Sequence, residues 1–66
     1  MIIRRGSTGD LVRRLQQRLA ELKHYLGPID GYFGGGTESA VKAFQKTQNL
    51  APDGIVGPLT WAKLFP

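Results

Sequence analysis

The 66-residue chain carries five acidic side chains, one histidine and no cysteine, so the covalent chemistry open to it is narrow. Asp30 and Asp53 are the pair most worth weighing, because two carboxylates can share the work of glycoside hydrolysis. That division of labour needs unlike surroundings for the acid and its partner. Here the surroundings are alike. Asp30-Gly31-Tyr32-Phe33-Gly34-Gly35-Gly36-Thr37 and Asp53-Gly54-Ile55-Val56-Gly57-Pro58-Leu59-Thr60 are two copies of one pattern. Asp bonds nearby backbone and Gly accepts positive φ, so a tight turn explains both copies at once. Asp30, Gly31, Gly34, Asp53, Gly54, Gly57 and Thr60 are therefore assigned to loop and cap structure, and no residue is assigned to catalysis. His24 has neither a cysteine nor a second histidine as co-ligand, so no metal or other cofactor is expected. Ser7 and Ser39 lack a histidine partner at a sensible position. Gly34-Gly35-Gly36 ahead of a helix would suit an anion, but without a following Lys or a preceding strand it is a weak phosphate-loop signal.

What remains is recognition. Phe33 and Phe44 read as core residues. Tyr25 and Tyr32 flank the first loop and are expected to be partly exposed, in the mix of aromatic and polar groups that suits a sugar or a peptide. Trp61 on a short terminal helix reads equally as core and as groove wall. The formal net charge is +4, with much of the excess early, at Arg4, Arg5, Arg13, Arg14 and Arg18. Such a charge attracts nucleic acid, anionic lipid or an acidic wall polymer, and by itself selects none of them.

Three helices are predicted to position these residues. Ser7 with Asp10 three residues on resembles a capping box. After it Leu11, Val12, Leu15, Leu19 and Leu22 recur at three- and four-residue steps, one apolar stripe on a first helix ending near Lys23 or His24. Thr37 is expected to N-cap a second helix whose inner face holds Ala40, Val41, Phe44 and Gln48, with Asn49 as a left-handed stop. Thr60 is expected to cap a third, Trp61 to Phe65, with Leu59 and Leu64 as a hydrophobic staple. Ile2 and Ile3 read as a lead-in packed on the core. No strand of useful length is visible. The expected fold is all-α: a small orthogonal three-helix bundle with two Asp-Gly-x-x-Gly loops, one domain over residues 1–66. No apolar run approaches the roughly 20 residues of a membrane span. The N-terminus lacks the apolar core of a signal peptide, so export is expected to be signalled elsewhere in a longer parent chain or to use another route.

Taken together, Gly9-x-x-Val12-x-x-Leu15-Gln16-x-x-Leu19, Gly27-Pro28-Ile29-Asp30-Gly31-x-Phe33-Gly34-x-x-Thr37, Ala40-Val41-x-x-Phe44-Gln45 and Asp53-Gly54-x-Val56-Gly57-Pro58-x-Thr60-Trp61 resemble the peptidoglycan-binding domain 1 family over nearly the whole chain. The resemblance implies a non-catalytic wall-binding module, extracytoplasmic, monomeric and tethered to a cell-wall hydrolase, with peptidoglycan as partner and neither nucleic acid nor membrane insertion involved. On that reading Tyr32, Gly35, Gly36, Thr37, Gln45 and Trp61 are the candidate ligand contacts. Three departures stand out: Lys23 and Asn49 where the family often has Gly after a helix, and Gly35-Gly36 where it often has Pro, which predicts a looser first loop. The rival readings are a structural domain of a prodomain, phage or spore protein, and a small basic helix-turn-helix nucleic-acid binder. The latter is disfavoured by the shortness of the third helix.

Overall fold

The computed structural model describes residues 2–66. Three helices follow in order, α1 (Asp10–Glu21), α2 (Gly35–Thr47) and α3 (Pro58–Leu64), and among the described residues no strand forms, only two isolated antiparallel bridges. The bundle is all-α, as the spacing predicts. Its core is one cluster in which Val12, Leu15 and Leu19 of α1 meet Val41 and Phe44 of α2, Leu64 of α3, and Phe33 and Val56 from the two loops. The apolar stripe of α1 is therefore real but narrower than the spacing suggests: Leu11 is exposed, and Leu22 is only half-buried against the cluster.

The helix starts differ from expectation in one consistent way. Thr37 and Thr60 do not cap. Gly34 and Gly57 are the N-cap residues, in extended backbone, and each Thr is the third residue of its helix, buried and turned inward. Gly35 and Gly36 accordingly belong to α2 rather than to a loose loop, and Gly35 holds the place that Pro58 holds in α3. Pro suits a first helical position because its missing N–H would be unpaired there anyway. Leu59 is 73% exposed and so staples nothing. Nor does Ser7 form a capping box. Its Oγ accepts from the Arg4 N–H at 3.0 Å, while Gly9 is the N-cap of α1 and Asp10 pairs with Arg13.

Both long helices end in the same manner. Lys23 and Asn49 adopt left-handed φ of 64° and 58°. The Lys23 and His24 N–H groups donate back to Ala20 and Leu19, and those of Asn49 and Leu50 to Lys46 and Gln45. These are Schellman closures, which satisfy carbonyls the helix leaves open. Asn tolerates the left-handed region well; Lys does so at a cost.

The N-terminal segment lies across both loops. Ile3 exchanges two backbone hydrogen bonds with Val56, and Ser7 and Gly9 bond Phe33 and Gly31. Ile3 is buried, whereas Ile2 is exposed, so only half of the expected apolar lead-in packs. At the far end the Arg18 Nε donates to the Leu64 carbonyl at 2.7 Å, tying α1 to the end of α3.

Candidate functional site

The two Asp-Gly loops are each built around a glutamine from the preceding helix. In the first, Gln16 Oε1 accepts the Gly31 N–H at 2.9 Å, and its Nε2 donates to Asp30 Oδ1, to the Tyr32 carbonyl and to Thr37 Oγ1 at 2.9–3.1 Å. In the second, Gln45 Oε1 accepts the Gly54 N–H at 3.0 Å, and its Nε2 donates to Asp53 Oδ1, the Ile55 carbonyl and Thr60 Oγ1 at 2.9–3.2 Å. Each Asp Oδ1 also accepts a backbone N–H two residues on, from Tyr32 or Ile55. Gly31 and Gly54 take φ of 76° and 77°, which a side chain would resist. Both glutamines are essentially fully buried, and among the described residues every buried side-chain N or O has a partner.

This closed pattern lowers the pKa of both aspartates. The Tyr32 N–H, with the Gln16 amide second, holds the Asp30 carboxyl below the usual carboxylate range. The Ile55 N–H, with the Gln45 amide second, does the same for Asp53. Hydrogen bonds to the charged form always act in this direction.

Beside the first loop lies an open groove of about 470 Å³. Tyr25, Pro28, Gly36 and Ala40 line it together with Asp30, Tyr32, His24 and Ser39. The connector that shapes it is braced by the Tyr25 hydroxyl, which donates to the Pro28 carbonyl at 2.7 Å. A smaller groove of about 200 Å³ lies at the equivalent place in the second copy, with Asp53, Ile55, Pro58 and Leu59 in its lining. The difference has a simple source. Six residues lie between the left-handed Lys23 and Asp30, but only three between Asn49 and Asp53, so the first connector has the chain to wall a wider space.

The candidate contacts do not gather in one place. Tyr32 is 52% exposed and lines the first groove with Gly36 and Thr37, while Gly35 stands beside the Arg5 guanidinium. Gln45, on α2, anchors the second loop and lines the second groove; its side chain is 1% exposed with both amide atoms engaged in that loop. The Thr37 side chain is likewise buried and accepts from Gln16. Trp61 is half-buried, stacked on Phe65 at 6.0 Å between centroids, and lines neither of these two grooves. Tyr25, expected to be partly exposed, is buried with one face towards the groove. Gln16, His24 and Ser39 were not foreseen at the site. Gln16 did carry a signal: it falls on the apolar stripe, one turn beyond Val12, where a polar residue must find internal partners. Among the described residues no group of three or more His, Cys, Asp or Glu is placed to hold a metal ion.

A three-helix fold built on two such glutamine-centred loops defines a small structural class, and the sequence falls within a known one. The family model of the peptidoglycan binding domain matches residues 8–64, and the chain belongs to that family. It is 46% identical over 65 residues to a zinc D-Ala-D-Ala carboxypeptidase of Streptomyces albus G, covering 91% of this chain and 24% of that protein. It is 48% identical over 60 residues to a spore cortex-lytic enzyme of Bacillus subtilis, covering 89% of this chain and 20% of that one. Among solved structures, the SleB N-terminal domain superposes with a TM-score of 0.95 at 41% identity, covering 97% of this chain and 88% of that one. The chain thus spans about a quarter or less of these two enzymes.

Proposed function

We propose that this domain is a non-catalytic peptidoglycan-binding module that holds an attached or associated cell-wall hydrolase at its polymer, outside the cytoplasm. The observation that carries the reading is the first groove. It is open, part aromatic and part polar, and floored by residues of the start of α2. Family membership and the hydrolases among the relatives support it. The binding surface is the first groove with Tyr32 as its exposed aromatic wall, Gly36 in its lining and the adjacent Gly35 outside that lining allowing close approach, and the first free N–H groups of α2 facing the same way. The basic side chains add long-range attraction to an acidic wall, weakened by salt. A single groove of this size binds weakly, and its value lies in raising the local concentration of a tethered enzyme. The module acts as a monomer, without cofactor, and without nucleic acid or membrane insertion; among the described residues no helix is long and apolar enough to cross a membrane.

The test is co-sedimentation of the purified domain with insoluble peptidoglycan, beside a gel shift with duplex DNA. Retention on the wall without a shifted DNA band is the expected result, with no fall in turbidity of the wall suspension. A DNA shift without wall retention would overturn the reading.

A further inference from the structure

The charges of the molecule are unevenly satisfied. Asp10, Glu21 and Glu38 pair with Arg13, Arg18 and Arg5 at 2.8, 3.2 and 3.7 Å. Asp30 and Asp53 form no ion pair among the described residues, although nine Lys and Arg are present in a chain this short. Both aspartates face a groove. In each, Oδ1 is held by the glutamine amide and a backbone N–H, which leaves Oδ2 as the oxygen available to a ligand. The Asp30 carboxylate therefore stands fixed and uncompensated at the edge of the wider groove, beside the apolar surfaces of Tyr25, Tyr32, Pro28 and Ala40.

A carboxylate in that setting recognises an ammonium on an aliphatic stem. The stem lies along the aromatic and proline surface, and the head makes a charge-assisted hydrogen bond, roughly twice as strong as a neutral one. N-acetylated glycan offers only neutral amides and hydroxyls, which gain little from the charge. A stem peptide containing a diamino acid offers the ammonium wherever its side chain is not cross-linked. We propose that the Asp30 groove binds the free side-chain amine of a diamino acid in the stem peptide, so that the module prefers uncross-linked wall. The inference rests on the peptidoglycan reading above and names the part of the polymer bound. Asp53 supplies an internal control, since it makes the same turn beside a groove less than half as large.

The experiment is an amide NMR titration of the domain with three probes. They are a disaccharide-tripeptide ending in meso-diaminopimelate, the same compound N-acetylated on its free amine, and a tetrameric N-acetyl chito-oligosaccharide. The first should shift Gly31, Tyr32, Gly36 and Ala40, and acetylation should weaken its binding about tenfold. Asp30→Asn keeps a side-chain oxygen for the turn and should bind both peptides alike; Asp53→Asn should retain the wild-type preference. Equal binding of the acetylated compound, the same shifts from glycan alone, or an equal loss in both Asn variants would overturn the proposal. Wall retention in the sedimentation assay with no groove shifts from any probe would leave the module a wall binder and reject the groove, and this proposal with it.

Discussion

Gln16 on α1 and Gln45 on α2 are equivalent residues: each carbonyl oxygen accepts the N–H of an Asp-Gly glycine, and each amide nitrogen reaches the aspartate and a threonine two turns of chain later. Replacing either with Leu keeps the volume and removes every one of these bonds. The glycine N–H, the loop carbonyl and the Thr hydroxyl are then left buried without partners, at about 1–3 kcal/mol for each that water cannot reach. Gln16→Leu and Gln45→Leu should each lower stability by about 3 kcal/mol, a large part of what a domain this small possesses. Chemical denaturation followed by circular dichroism checks this, and a midpoint unchanged in either variant would contradict the anchoring role.

The three helices and the all-α class were legible in the sequence because they follow from local periodicity and from Gly, Pro and Asn positions. The helix starts were not. A Thr ahead of an apolar run is normally read as a cap, and only the bond from a glutamine 21 residues away for Thr37, or 15 for Thr60, shows why it sits inside the helix instead. The same distance hid the site. Gln45 reads from the sequence as a candidate ligand contact, and the partners that make it a loop anchor lie on a loop that helical spacing cannot place. The groove itself depends on how far the Tyr25–Ile29 connector stands from α2, a quantity absent from any local pattern.

Acid should weaken the fold through the two loops. An aspartate whose folded-state pKa is depressed releases its proton more readily in the native than in the unfolded chain, so its contribution is present above the unfolded value near about 3.9 and is lost as pH falls through the folded value. Asp30 and Asp53 are both of this kind. Melting temperature should hold steady from neutral pH to about pH 4 and then fall. In the Asp30→Asn, Asp53→Asn double variant the fall below about pH 4 should be shallower, which a thermal melt series between about pH 7 and pH 2 measures.

Two exposed backbone positions invite stabilisation. Lys23 holds a left-handed φ of 64° with its side chain in solvent, so Lys23→Gly should relieve conformational cost with no packing lost. Gly35 is the first residue of α2, follows an extended Gly34 and has room for a side chain, with only the Arg5 guanidinium 3.9 Å from an added Cβ. Gly35→Pro copies Pro58 and restricts the unfolded chain. Each change should raise stability by about 0.5–1 kcal/mol, read as a few degrees in melting temperature.

Tyr32 and Phe33 are neighbours with opposite roles. Phe33 is fully buried and Tyr32 is half exposed on the groove wall. Phe33→Ala should destabilise the domain by about 3–5 kcal/mol. Tyr32→Ala should leave the melt nearly unchanged and weaken sedimentation with peptidoglycan. Unchanged sedimentation of a folded Tyr32→Ala variant would move the binding surface away from this groove.

The two loops share a helix, and this makes the molecule indivisible. α2 receives Gln16 through Thr37 at one end and supplies Gln45 to the second loop at the other. A copy boundary drawn through the pattern therefore cuts through α2, and neither half keeps a complete set of partners. A fluctuation that frees one loop loosens the support of the other, so the domain should open in one cooperative step with no stable half-folded form. The Gly31 and Gly54 amides, each bonded to a glutamine oxygen in a different copy, should then exchange with deuterium through the same opening and with the same protection.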